Sequence, residues 1–422
     1  MRLAATLLAA LILATNAAAQ YSQYTAPGSL GEKRTPTKEQ FERAMETARW
    51  QLGPLRLAPW FSLHDVSYQD NVYGDPDNPQ SDFTATAGAG LHGYLPIGPK
   101  LTLGLYALPE YVWWNEQDYR RGWNWRYGAG VFGYFNRLTV EARAADERRQ
   151  DYVSYELEQF VNVENRRYEA SVELRLLERL SVFARGREDR LRYPEDDSVE
   201  IGVPELLGLD RDERHLAGGL RYAFRDWLSI GVGVDDIEVE FARAERDRSH
   251  TGKAPFVELR LDGKKLRADV LVAAPDLEPT PGSQFVPFDD TTGRVQLGYR
   301  LGGRMELQAY GGRSLGFALY FDSPYLVSER AGVALQTGLG WRTVARAFWE
   351  QGEQRYVGTE PGSTAFLEDF DAYGAQFSIA LGRSASFDVH AARETYDSPF
   401  SRRTVDRVTT SLRLGGSGAG WW

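Results

Sequence analysis

Residues Arg294 to Gly312 read RVQLGYRLGGRMELQAYGG. Val295, Leu297, Tyr299 and Leu301 fall on one face of an extended chain, and Arg294, Gln296, Gly298 and Arg300 fall on the other. Gly302 and Gly303 turn the chain, after which Met305, Leu307 and Ala309 resume the apolar face and Glu306, Gln308 and Tyr310 the polar one. A strand needs this alternation when hydrocarbon wets one side and water the other. The hairpin therefore points to a transmembrane β-barrel.

The ends bound that reading. Met1 to Gln20 has the form of a secretory signal, with Arg2, an apolar run from Leu7 to Leu13 and small residues Ala17 to Ala19. We assign residues 1–19 to the signal, 20–54 to a periplasmic segment, 55–414 to the barrel and 415–422 to a tail. No later run reaches the roughly 18 apolar residues of a membrane helix, and the mean hydropathy is −0.44. No Pro/Ser/Gly linker divides the chain, and a barrel accommodates such length as one unit because its size grows with strand number. The absence of cysteine suits export through an oxidising compartment, and the net charge of −10 argues against nucleic acid as a partner.

Along the chain, Thr37 to Gln51 has helical periodicity, with Thr37 as cap and Phe41, Met45, Ala48 and Leu52 as a stripe. It reads as a short periplasmic helix or as a plug at the barrel mouth. From Leu55 onward a hairpin pattern repeats about every 40 residues. Short turns fall at Pro96–Lys100, Phe135–Arg137, Leu177–Arg179, Phe224–Trp227, Asp262–Lys265, Gly302–Arg304, Gly340–Arg342 and Gly382–Ser384. Longer polar connections lie between them, as at Gln69–Ser81, Asp146–Asn165, Glu188–Glu213, Pro275–Thr292 and Gln351–Asp369. Short turns on one side and long loops on the other give an all-β, antiparallel up-and-down barrel of about 18 strands (16–18). A propeller shares the period, but its blades need four short strands in each and give no reason for a charged row opposite every apolar row.

That charged row supplies the candidate pore-lining residues. Arg167, Glu169, Glu173 and Arg175 oppose Tyr168, Ala170, Val172 and Leu174. Glu258 and Arg260 oppose Val257, Leu259 and Leu261, and Arg267 and Asp269 oppose Leu266, Ala268 and Val270. Arg294, Arg300 and Glu306 come from the opening hairpin, and Arg407 and Arg413 from the last strand. Near Asp235-Asp236 the alternation slips, which suggests a bulge. Trp60, Trp113, Trp114, Trp123, Trp125, Trp227, Trp341 and Trp349 lie near strand ends, where amphipathic rings form interfacial girdles.

Little else carries chemistry. Five histidines and no cysteine leave scant material for a metal or haem site, so no cofactor or metal ligand is assigned. Ser62 and His64 share a strand face, as an outer-membrane phospholipase would need, but their parity aims them at the lumen. Asp388-Val389-His390 is similar to the Asp-x-His half of the omptin proteases, yet it follows a periplasmic turn. Asp75-x-Asp77 reads as a solvated loop. We therefore assign no catalytic residue. Eighteen strands enclose a lumen on the order of 25 Å across, whose mixed lining would pass polar solutes. A barrel hydrolase and a non-conducting structural or adhesive barrel are the alternatives.

Leu57-x-Pro59 followed by Tyr68-x-Asp70-Asn71-Val72-Tyr73-Gly74 resembles the first strand and loop of an outer-membrane β-barrel porin family associated with exopolysaccharide gene clusters. The resemblance implies an outer-membrane porin, with a secreted polysaccharide and periplasmic export components as partners beside membrane lipid and the barrel assembly machinery. Such barrels usually end their last strand on an aromatic residue. Here Leu414 is followed by a glycine-rich tail and Trp421-Trp422.

Overall fold

The computed structural model describes residues 26–28, 38–69, 80–152, 156, 160–194, 206–243, 247–319, 323–340, 342–360, 363–382, 385–400 and 402–415. The signal sequence, Thr37, Asp70 to Gly74, Asp75, Asp77, Trp341 and the tail beyond Gly415 lie outside them. A helix α1 (Lys38–Thr47) and a short strand β1 (Trp50–Leu52) precede the wall. Its first half comprises β2 (Leu55–Gln69), β3 (Asp82–Ile97), β4 (Leu101–Trp114), β5 (Gly122–Tyr134), β6 (Leu138–Asp151), β7 (Val161–Arg175), β8 (Leu180–Arg192), β9 (Arg211–Arg225) and β10 (Leu228–Phe241). Its second half comprises β11 (His250–Asp262), β12 (Leu266–Ala273), β13 (Asp276–Pro279), β14 (Thr292–Leu301), β15 (Met305–Gly316), β16 (Leu326–Gly338), β17 (Thr343–Val357), β18 (Thr364–Ala380), β19 (Ala385–Asp397) and β20 (Arg402–Gly415).

Each wall strand pairs antiparallel with the next, and β20 returns to pair with β2 through Phe61–Leu414 and Leu63–Leu412. Because β12 and β13 both pair with β11, they share one place, so the closed wall has 18 strands. Closure leaves no edge to be satisfied in lipid. The opening hairpin pairs as its sequence requires, with Leu301 opposite Met305, Tyr299 opposite Leu307 and Leu297 opposite Ala309. Gly302 makes the turn at φ 75°, a conformation in which a side chain would be strained.

The connections depart from expectation in one systematic way. Parts of the charged stretches read as long loops are strand: β6 runs to Asp151, β7 begins at Val161, β17 runs to Val357, and Asp276–Pro279 is β13. Many strands have 13 to 17 residues, more than the roughly 9–11 that a bilayer needs. Their loop-side ends stand clear of hydrocarbon and carry charge on the outer face.

The same geometry overturns the proposed bulge. β10 pairs with β11 without interruption, Asp235 opposite Ala254 and Asp236 opposite Lys253. What changes there is the environment. In the turn-side half Val232 and Val257 face outward and Glu258 inward. In the loop-side half Asp236 and Lys253 face outward, while Ile237, Val239 and Ala254 are fully buried inside. An unbroken strand that crosses from membrane to water mimics a one-residue slip.

Two tryptophans of the predicted girdle also point the other way. Trp113, Trp123, Trp227 and Trp349 are exposed on the outside. Trp114 is buried inside beside Phe160, and Trp60 stacks on His92 across the inner wall. Their even places in β4 and β2 fix this.

The lumen is partly filled from both ends. Helix α1 is shorter than the periodicity over 37–51 suggested, because Trp50 to Leu52 pairs with the start of β2. The helix packs against the inner wall: Phe41 is 1% exposed, with its ring 4.4 Å from Phe132 and 6.1 Å from Tyr94, both on inward faces. At the other end an apolar cluster fills the interior. Val161, Ile237, Val239 and Phe256 from the strands meet Leu206 and Leu209, Phe285 and Phe288, and Phe317 and Tyr325 from three loops. Apolar side chains on an inner wall would otherwise face water, so the loops fold in to cover them.

Candidate channel interior

Parity places the predicted residues on the inner face, and ion pairs tie many of them together. Arg167 reaches Asp189 at 2.6 Å and lies near Glu169, which itself pairs with Arg143. Glu173 accepts from Ser181 at 2.7 Å and from Arg221. Arg221 also reaches Glu258 at 2.6 Å, and Glu258 takes Arg260 at 3.2 Å. Arg221 thus bridges two predicted carboxylates with three strands between them, and Glu258 is 4% exposed beneath the apolar cluster. Its guanidinium lies 4.9 Å from the Phe183 ring centroid, so this charged layer abuts the cap directly.

Other predicted residues stand apart from that layer. Arg267 pairs with Asp262 at 3.1 Å near the turns, and Arg300 lies 3.8 Å from Glu306 across the opening hairpin. Asp269 stands opposite Arg260, and Arg294 opposite Leu271 and Gly312. Arg175 lies exposed at the end of β7. Arg407 reaches Glu394 at 3.0 Å, and Arg413 lies 4.2 Å from the Trp60 ring. Sequence reasoning missed Arg221, Arg143 and Asp189, although β9 alternates throughout. The pair Gly218-Gly219 interrupts its contrast between apolar and polar residues.

Near the closing seam lies a second network. The β2 register shifts between His64 and Ser67, and Asp65 has φ 49°, the one positive value outside glycine among the described residues. His64 places Nδ1 2.6 Å from Asp65 and Nε2 2.6 Å from Glu110, an arrangement that only the doubly protonated ring satisfies in full. Arg126 holds the other Glu110 oxygen at 3.0 Å. Ser62 donates to Glu110 at 3.4 Å, so the carboxylate, not the imidazole, takes its hydroxyl. His390 faces inward and stacks on Phe348 with ring centroids 5.8 Å apart.

The N-terminal segment has a second anchor on this interior. Gly28 donates its amide to Glu350 at 2.8 Å, and Glu350 also accepts from Tyr310 at 3.2 Å and pairs with Arg330. A Cβ on Gly28 would come within 2.8 Å of the Phe348 ring, and its φ of 74° independently favours glycine. Gly28 is held at β17 and Phe41 at β3 and β5, which are well separated around the ring.

On the loop side, Arg313 pairs with Asp290 and, at 2.9 Å, with Glu329. The hydrogen bond from Arg313 holds the Asp290 carboxyl down to about 2. A group whose folded value lies below its unfolded one stabilises at higher pH, and that support is lost as pH falls from about 4 toward 2. Amide protection factors around residues 289–291, taken relative to the intrinsic rate at each pH, are expected to fall through that window, and Asp290→Asn is expected to abolish the change.

No family model matches the chain, and no curated protein matches it in sequence. Among solved structures the chain is similar to the outer membrane protein opdK of Pseudomonas aeruginosa, with a TM-score of 0.52 and 10% identity over 85% of this chain and 98% of that one. It is also similar to OccK5 (OpdH) of Pseudomonas aeruginosa, with a TM-score of 0.51 and 12% identity over 86% and 98%. At these identities the likeness concerns the barrel fold.

Proposed function

We propose that this chain is an outer-membrane channel for polar solutes. The observation that carries the reading is the division of one strand wall into an apolar outer band and an ion-paired inner layer, centred on Arg221, Glu173 and Glu258. A structural barrel would have no need of so many charges inside, since each costs desolvation unless water or a partner attends it. The similarity in fold to outer-membrane proteins supports the location. Planar-bilayer conductance of the refolded protein tests it: discrete openings support a channel. A silent bilayer for both the full chain and a variant lacking residues 21–47 would favour the structural reading.

Within that function, Arg221, Arg294, Arg300 and Glu306 are selectivity residues. Arg221→Gln leaves Glu173 and Glu258 without their shared cation, so the reversal potential in a salt gradient is expected to move toward cation preference. Arg393→Gln removes an outward-facing pair with Asp406 and is expected to leave selectivity unchanged.

The finer reading is passage of a secreted polysaccharide, supported by the resemblance across Leu57 to Gly74, of which residues 70–74 lie outside the described structure. A hydrated polymer suits a lumen of mixed charge. Loss of the gene should then reduce surface polysaccharide, and unchanged polysaccharide would remove this reading while leaving the channel intact. Periplasmic export components and the assembly machinery are the partners it calls for.

A further inference from the structure

The outer face of β3 to β7 is hollowed into a groove of about 540 Å³. Its floor is Gly93, Ala107, Ala129 and Ala144, whose side chains are a methyl group or less. Leu57 and Leu105 stand along it, and Tyr127 and Tyr168 rise at its loop-side end. All of these lie on the outward face, and Leu105, Tyr127 and Tyr168 are each more than 40% exposed. Elsewhere the same band is built of large side chains, as at Leu307, Val333 and Phe377.

Directly above the groove the wall carries arginine–carboxylate pairs, Arg166 with Asp146 and Arg148 with Glu164. Arg166 donates Nε to Asp146 at 2.8 Å, and the Arg166 side chain is 64% exposed, so the far edge of its guanidinium faces outward. Arg148 lies over the Trp125 ring at 5.5 Å. Arg190, Arg192 and Arg214 continue this outer row across β8 and β9, paired with Glu188, Asp212 and Glu238, whereas the corresponding row on β16 to β18 carries Glu329, Glu353, Asp369 and Asp371 beside Arg355. The row on the groove side thus alternates arginine with carboxylate, while the row on the opposite side is acidic.

We propose that this groove binds one acyl chain of a phosphorylated lipid, with the phosphate held by Arg166 and its neighbours Arg148 and Arg190. The inference rests on reading the outer band as lipid-facing, and it does not require conduction. Depth and chemistry agree on the occupant. A channel floored by methyl groups accepts a thin flexible chain, and the tyrosines mark the level at which a headgroup begins. Guanidinium groups offer paired donors to phosphate oxygens there. The wall of a second barrel is too broad to enter the groove.

The test uses the full chain purified in a mild detergent, with lipid binding read by native mass spectrometry and by thermal shift. Phosphatidylglycerol is expected to bind as one retained molecule and to raise the melting temperature, with diacylglycerol, which lacks the phosphate, bound more weakly. Arg166→Gln should weaken phosphatidylglycerol roughly tenfold, as loss of one charge-assisted contact would. Ala129→Phe fills the groove from a lipid-facing position and should abolish retention while leaving the unliganded melting temperature unchanged. Equal binding of the two lipids, or retention that survives Ala129→Phe, would overturn the proposal. A shift produced by inorganic phosphate alone would assign the arginines to a soluble anion. A defined oligomer dispersed by Ala129→Phe would assign the groove to a second copy.

Discussion

Phe41→Asp, or removal of residues 21–47, is expected to convert a largely closed barrel into one of markedly higher conductance. The argument begins with the helix itself. Ten residues are fewer than the roughly 12–15 at which isolated helices become even marginal in water, so α1 owes its persistence to the wall. Phe41 is its deepest side chain, packed on Phe132, Tyr94 and Tyr134. Burying such a ring contributes about 2–3 kcal/mol, and a carboxylate in its place adds a desolvation penalty. Losing about 3 kcal/mol changes the ratio of docked to released segment roughly a hundredfold. Bilayer recordings should show longer and larger openings, while heat-modifiable migration on gels, which reports the folded wall, stays unchanged. Gly28→Val tests the other anchor separately, because it breaks the approach to Phe348 without touching the helix. Conductance equal to that of the unaltered chain in all three variants would mean that the solute path bypasses the N-terminal segment.

How much of this was legible follows from what a period of two can carry. The hairpin at Arg294 to Gly312 displayed its register, turn and inner face because membrane and lumen impose opposite demands at every residue. Eight turns and nine connections gave 18 strands for the same reason. Alternation says which side a residue takes, but only for a fixed pair of environments. In β10 the environments exchange between Val234 and Ile237, and a continuous strand looked like a slip. The charged strand tips at Asp146 to Asp151 looked like loop because sequence does not record where hydrocarbon ends. Arg221 was missed although its spacing is regular, since its role depends on Glu173 and Glu258 from other strands. The plug reading of α1 stayed open because the partners of Phe41 lie 53 residues and more downstream. Composition carried no sign that the upper lumen would be apolar. The loop residues that build it lie in short apolar runs, Phe285-Val286-Pro287-Phe288 and Leu315 to Leu319, but alternation does not say which way a loop folds.

Arg248→Ala is expected to open the apolar cap and to have the largest effect of any single substitution on the loop side of the barrel. Arg248 lies in the connection between β10 and β11 and is 4% exposed. Its guanidinium donates to the carbonyl of Gly208 at 2.6 Å in one loop, and to those of Ala318 at 2.7 Å and Pro324 at 3.4 Å in another. The same group lies 4.7 Å from the Phe241 ring and 5.6 Å from the Phe317 ring. One side chain therefore holds two inward-folded loops to a third. Hydrogen bonds from a charged donor are worth about 1.5–3 kcal/mol each, and buried acceptors left unmade add their own desolvation cost. Alanine supplies neither the donors nor the volume. Lysine keeps the charge but cannot span carbonyls on different loops with a planar fork. Both variants should therefore expose residues 206–210, 317–319 and 323–325 to protease in detergent, Arg248→Ala more than Arg248→Lys, with the 18-strand wall still heat-modifiable. If conduction is limited at the cap, single-channel conductance rises in the same order. If it is limited at the N-terminal segment, protease sensitivity rises alone. Combining Arg248→Ala with Phe41→Asp separates the two, because barriers in series give the double variant more conductance than either single change.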